Sequence, residues 1–302
     1  MIRWLFVLPA AIGGAGCAPG TNPELLIREV RSHTIPPDQN RFPSPRTVAV
    51  GDDGELYVLD TAGRVLLFDS GVKFERSWHM PEYADGNPEG VCVLADGRIA
   101  VADTHYHRVV FFDREGTVLG TLGRRGRRPG EFRYPVSITR DESGYFYVAE
   151  YGENDRVQKF TSNGTFVLEF GGFGTQPGEF QRLGGIAWHA GQLYCCDVAN
   201  NRLQVFADDG TFRQVLVSND LEPRLDYPYD ISIGLDGDLF VVEYGAGRVS
   251  RFDLGGRLLG RFGRSGRGEH EFSRPWGLAV THDGRVIVAD TDNRRLVELL
   301  PE

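Results

Sequence analysis

The segment Asp197-Val-Ala-Asn-Asn-Arg202-Leu-Gln-Val-Phe206 has a counterpart in every stretch of about 47 residues, and six counterparts fill the 302-residue chain. Repeated units of this length stack to bury their apolar faces, so a closed ring of repeats is the expected architecture. The copies align on an acidic residue, Asp60, Asp103, Glu150, Asp197, Glu243 and Asp290, at steps of 43 to 47 residues. An arginine follows each acid: Arg64, Arg108, Arg156, Arg202, Arg248 and Arg295. About fifteen residues before each acid stand Pro45, Pro88, Pro135, Pro228 and Pro275, with Leu183 once in place of proline. Three residues earlier lie Phe42, Phe132, Phe180, Leu225 and Phe272, with Asp85 as the exception.

Within a copy the pattern is that of short strands between glycine turns. In the first copy, Val48-Ala-Val50, Leu56–Leu59 and Val65–Phe68 read as strands a, b and c. In later copies, Thr117–Leu122, Phe166–Phe170 and Arg257–Phe262 read as strand d. Four short antiparallel strands per unit around an axis describe a blade, so the fold class is all-β, a six-bladed β-propeller. The sixth copy stops after strand c, and Glu24–Val30 reads as a strand d with no a, b or c ahead of it. That segment is expected to complete blade six and close the ring.

Entries such as Pro88-Glu-Gly-Val91 and Pro275-Trp-Gly-Leu278, followed by Val-Ala-Asp and Asn-x-Arg, resemble the NHL repeat. The resemblance covers residues 42 to 300 in six copies and implies a TolB-like propeller; it does not by itself imply an activity, because propellers host unrelated functions.

The N-terminus reads as a separate unit. Arg3 and the apolar run Trp4–Ile12 are too short to span a bilayer and resemble a signal peptide over residues 1–16. Gly14-Ala-Gly-Cys17 resembles a bacterial lipobox, with Gly14 where that motif usually carries an aliphatic residue. This implies lipidation at Cys17, a tether over 17–23, a propeller over 24–302 and a place in the cell envelope, on the periplasmic face or the cell surface. Contact with a membrane is then expected only through the lipid anchor. Cys92, Cys195 and Cys196 are expected to be free thiols, since neighbours in a strand face opposite ways.

Residues present in all six copies serve something every blade needs, so the acids and arginines read as structural: each carboxylate is expected to accept bonds from the backbone of the b–c turn, and each arginine to pair with a neighbouring carboxylate. A ligand site should break the symmetry. In propellers of this type the residue after the proline entry faces the channel near the rim where the d–a and b–c loops lie. Those positions hold Arg46, Glu89, Val136, Gly184, Tyr229 with Asp230, and Trp276. Tyr151 and Tyr244, in matching Glu-Tyr-Gly turns, and His105 join the candidates on that face. Together, Arg46, Glu89, His105, Tyr151, Tyr229, Asp230, Tyr244 and Trp276 suit a protein, a peptide or a polar small ligand. The alternative for the two aromatics at the entries is that they plug the channel.

A zinc-dependent amidating lyase is similar in fold but would need histidines at the entries, where this chain has none. A calcium-dependent lactonase or esterase, with the ion at the ring centre, is the alternative activity. It would use Glu89 and Asp230 with Asp197 or Asn200, yet the asparagines expected at the entries are missing. Arg124, Arg125, Arg127 and Arg128, with Arg261, Arg264 and Arg267, form a basic cluster, but a net charge of −9 and an export signal oppose nucleic acid. His105 and His107 lack an evident third metal ligand. A monomeric binding module without metal, cofactor or catalytic residues is the expectation; were it an enzyme, a metal-dependent hydrolase.

Overall fold

The computed structural model describes residues 23–302 apart from residue 221, so the leader, Cys17 and nearly all of the tether lie outside the described residues. Six four-stranded antiparallel sheets form the blades of a ring. Blade one comprises Pro45–Val50, Leu56–Asp60, Arg64–Phe68 and Phe74–His79. Blade three comprises Tyr134–Arg140, Phe146–Tyr151, Arg156–Phe160 and Phe166–Gly171. The others repeat this order, each strand within a few residues of its expected limits. Strands b and c are buried on both faces, as in Leu56–Asp60 and Ile99–Asp103, because each blade is sandwiched between two others. They therefore read as continuous apolar runs, whereas peripheral strand d alternates, as in Phe166–Gly171.

Blade six closes as expected. Its strands a to c, Gly277–Val280, Val286–Asp290 and Arg295–Pro301, take Ile27–Thr34 as strand d, with Thr34 opposite Arg295 and Ile27 opposite Pro301. His33 Nε2 and Glu298 Oε2 meet at 2.8 Å across this seam. Residues 23–25 add a contact the sequence did not suggest. Leu25 N–H donates to Arg261 O (2.8 Å) and Arg261 N–H to Pro23 O (3.0 Å), so the segment also runs along strand d of blade five. A Cβ on Gly260 would lie 2.7 Å from Leu25 Cα, which is why glycine stands there.

All six acids are fully buried, and each pairs with the arginine of its own copy at 2.6 to 2.8 Å. The other bonds differ from the expected turn contacts. Only in blade one does the b–c turn backbone donate, through Ala62 and Arg64 to Asp60. In blades three to six the carboxylate accepts a backbone N–H from the loop before strand a, from Arg133, Gln181, Asp226 and Ser273. The arginine in turn donates to carbonyls of that loop, Arg202 to those of Thr175, Gln176 and Glu179. In every blade but the second the pair is thus a clasp that fixes the d–a loop over its blade. Blade two lacks half of it: Asp85 replaces the usual aromatic, and Asp103 Oδ1 is buried without a partner.

Two Gly-Glu-Phe segments, Gly130–Phe132 and Gly178–Phe180, lie in the same loop. Glu131 Oε2 accepts Arg128 N–H and Glu179 Oε2 accepts Gln176 N–H, while Phe132 and Phe180 are buried against Phe160 and Phe206. Phe42 departs from the pattern: it is 70% exposed. Leu183 replaces proline at the fourth entry and so carries an N–H; buried Asp155 accepts it at 3.0 Å.

A central channel of about 400 Å³ runs between the six strands a. Side-chain oxygens inside it link one blade to the next: Ser137 accepts from Ile186, Asp230 from Leu278 and Ser232 from Val280. Cys92 lines the channel, Cys195 and Cys196 are buried, and all three are free thiols.

Candidate functional site

One end of the channel carries the asymmetric residues. Strand-a starts from four blades bring Arg46, Glu89, Tyr229 and Trp276 into contact. Arg46 Nη2 pairs with Glu89 Oε1 at 3.0 Å, and its guanidinium lies 3.9 Å over the Trp276 ring. Tyr229 donates its hydroxyl proton to Glu89 Oε2 at 3.2 Å and meets Trp276 edge-on at 5.2 Å. Burial and the nearby Glu89 carboxylate hold the Tyr229 phenol well above its usual range, so it remains a donor. Tyr244 reaches Trp276 and Tyr229 from the b–c turn of blade five, with centroids 6.0 Å from each.

Arg182, which sequence reasoning missed, completes the cluster. Its Nη2 donates to the Tyr229 hydroxyl at 3.1 Å, and its guanidinium lies 4.7 Å from the Tyr151 ring and 5.7 Å from the Tyr229 ring. Tyr227, also missed, packs 5.6 Å from Tyr244. Both residues immediately precede the strand-a entry and are in the left-handed region, with φ of 56° and 55°. Bulky side chains rarely adopt that conformation, and here it turns both onto the face. The available signal was the position one residue before the entry, where Tyr134, Arg182, Tyr227 and Arg274 are large.

Two candidates do not join this group. Asp230 lies in the channel, where Ile231 and Leu278 N–H groups engage it and burial pushes its carboxyl up to about 7. His105 is exposed in the turn Thr104–Tyr106 and packs on Gly86 and near Tyr134. His107 instead contacts the Arg133 carbonyl. The basic cluster is partly neutralised: Arg124 pairs with Glu131, Arg264 with Glu271 and Arg127 with Glu153.

Three buried donors of the cluster, Arg46 Nε, Arg182 Nε and Trp276 Nε1, have no hydrogen-bond partner among the described residues. Beside them a cavity of about 270 Å³ is lined by Arg182, Asp226, Tyr227, Tyr229, Tyr244, Gly245 and Trp276. Aromatic walls and convergent donors suit an acceptor-bearing ligand. Among the described residues no group of three or more His, Cys, Asp and Glu side chains is arranged to hold a metal ion.

Comparison with known proteins agrees with the repeat reading. A family model described as NHL repeat matches residues 86–112 and 272–299. The chain is 29% identical over 222 residues to human E3 ubiquitin-protein ligase NHLRC1, covering 68% of this chain and 53% of that one. It is 28% identical over 265 residues to peptidyl-glycine alpha-amidating monooxygenase A of Xenopus laevis, and 38% identical over 86 residues to protein brain tumor of Drosophila melanogaster. It spans 26% and 8% of the length of those two relatives. A streptogramin B lyase structure superposes with a TM-score of 0.65 at 16% identity, over 91% of this chain and 98% of that chain. A structural genomics protein from Bacteroides thetaiotaomicron superposes with a TM-score of 0.67 at 14% identity, over 91% and 77%. At such identities the likeness concerns the fold alone. With the repeat matched by sequence at two of the six copies, the six blades in place and the full clasp recurring in five of them, the chain carries NHL repeats on a six-bladed β-propeller.

Proposed function

We propose that this protein is a non-catalytic binding propeller of the bacterial cell envelope, which recognises a protein, peptide or polar small ligand on the face bearing Arg46, Glu89, Tyr151, Tyr229, Tyr244 and Trp276. The observation that carries this reading is the break in symmetry. In every copy the acid and arginine are engaged with each other, whereas the strand-a starts and the residues before them assemble one cluster with unpartnered donors. A relative named as a ubiquitin-protein ligase is in keeping with an NHL propeller that holds a protein. The envelope location rests on the leader and on Gly14–Cys17, and labelled-palmitate incorporation that Cys17→Ala abolishes is the result expected of it.

Hydrolysis at a central calcium ion is less well supported. Glu89 is engaged by Arg46 and Tyr229, Asp230 by two backbone N–H groups, and Asp197 by Arg202 and Asn200. Trp276→Ala and Tyr229→Ala test the binding reading. Loss of recovered partner or ligand with an unchanged melting temperature is expected. Full recovery with unchanged stability would place the binding face elsewhere, and a fall in stability alone would make these rings a channel plug.

A further inference from the structure

The charges of the cluster are unequal. Arg46 is neutralised by Glu89 at 3.0 Å, and Glu89 also accepts from Tyr229. Arg182 has no carboxylate within ion-pair distance among the described residues, although Glu89 lies near enough to raise its pKa further. Its guanidinium is held beside the Tyr151 and Tyr229 rings, and one Nη2 bond to Tyr229 fixes its rotation. Nε remains buried and unpartnered, and the guanidinium lines the 270 Å³ cavity together with Trp276, whose indole N–H is also buried and unpartnered. A half-buried guanidinium whose Nε is shut off from water and a buried indole N–H are costly to leave unmatched, and a planar oxyanion satisfies both. The remaining walls are the rings of Tyr227 and Tyr244 with the backbone at Gly245, which fit a flat or apolar body.

We infer that this cavity is a carboxylate site: Arg182 and the Trp276 indole N–H receive the carboxylate of a small organic acid or of a peptide C-terminus, and Tyr227, Tyr244 and the Trp276 ring cover the apolar group attached to it. Arg182 serves here because a guanidinium presents paired N–H groups to a carboxylate, which a lysine ammonium does not. Asp226, exposed at the cavity rim, keeps a second acidic group on the ligand unfavourable, so the class is a mono-anion with an aromatic or aliphatic side. This rests on the face assignment above and adds the chemistry of its occupant.

Titration calorimetry of the protein from residue 18 onward with N-acetyl-phenylalanine, its carboxamide and phenylethylphosphonate tests it. The acid should bind at least about tenfold more tightly than the carboxamide, since the amide forfeits a charge-assisted pair. Arg182→Met should remove that difference, and Arg182→Lys should restore less than half of it in free-energy terms, with melting temperatures reporting that each variant is folded. Equal affinity for acid and carboxamide, or undiminished preference in folded Arg182→Met, overturns the carboxylate assignment while leaving the face as a binding surface. Tighter binding of the phosphonate overturns the choice of a carboxylate. No binding of any of the three probes overturns the cavity as an acid site, and the Trp276→Ala recovery experiment then decides separately whether the face binds at all.

Discussion

Replacing Asp197 by Asn isolates what one clasp contributes. The carboxylate, itself out of contact with water, accepts from Arg202 Nε (2.6 Å), Gln181 N–H (2.8 Å), Asn200 Nδ2 (2.9 Å) and Gln204 Nε2 (3.2 Å). Asparagine offers one acceptor oxygen and turns an NH2 group toward donors. Arg202 keeps the carbonyls of Thr175, Gln176 and Glu179 but loses its counter-charge. Breaking a buried pair in this way costs about 3–5 kcal/mol, mostly from donors left unmatched. For a domain of this size each kcal/mol lowers the melting temperature by about 2 °C, giving a fall of about 6–10 °C. Asp103→Asn is the internal comparison. Asp103 accepts only from Arg108 Nε (2.8 Å), its Oδ1 is already unmatched, and burial pushes its carboxyl up to about 6. A neutral amide there loses one bond but removes a poorly solvated charge, so the change at pH 8 should stay within about 1 kcal/mol. Calorimetric melts of both variants at pH 8 measure the contrast. Equal losses, or a loss below about 2 °C for Asp197→Asn, would refute the clasp.

Deleting residues 23–34 leaves Arg295–Pro301 an unpaired edge and uncovers strand d of blade five, so the variant should aggregate or lose its cooperative melt, as light scattering with circular dichroism will show. Asp230 takes up its proton more readily in the folded state than in the unfolded chain, so its contribution to stability is full below about pH 4 and lost as the pH rises through about 7. Asp230→Asn should flatten that part of the stability-versus-pH curve in urea titrations; an unaltered slope would show that the channel solvates the carboxylate. Asp155→Ala should cost about 1–3 kcal/mol by orphaning the Leu183 N–H. Leu183→Pro in that background should recover most of it, because Tyr227 and Arg274 already precede prolines in the same left-handed conformation as Arg182.

The ring was legible because each copy repeats the same acid, arginine and entry, and because the missing strand d of blade six has a stray counterpart at Glu24–Val30. What that pattern does not carry is the backbone partner of each carboxylate: spacing within a copy points to the adjacent b–c turn, whereas in blades three to six the backbone donor comes from the loop folded back over the blade and the turn offers side chains such as Asn200 and Asn293. Half of the site was legible for a similar reason. Arg46, Glu89, Tyr229 and Trp276 share one position per copy, and so converge. Arg182 and Tyr227 reach the same space only because their backbones adopt positive φ, a property that a large residue does not announce. Asp230 is one residue along its strand from Tyr229, past a bulge, and its bonds face the next blade. The gap at Asp103 was visible in outline, since Asp85 breaks the aromatic column, but its effect on the carboxylate depends on burial.

The seam in blade six has a consequence for the order of assembly. Five blades are made from contiguous stretches, so each can form from its own hairpins. The sixth joins partners such as His33 and Glu298, 265 positions apart. Loop-closure entropy grows only with the logarithm of length, so this long connection costs about 1.5 kcal/mol more than one spanning a single copy. Its kinetic effect is larger, because Ile27–Thr34 must wait, unpaired, for the far end of the ring. Glu302 N–H already donates to Leu26 O at 3.1 Å, so a short turn can join those two points. A chain rearranged to begin at blade one and to end with residues 23–34 would have six blades of local contacts, and the same ring should close without a waiting strand.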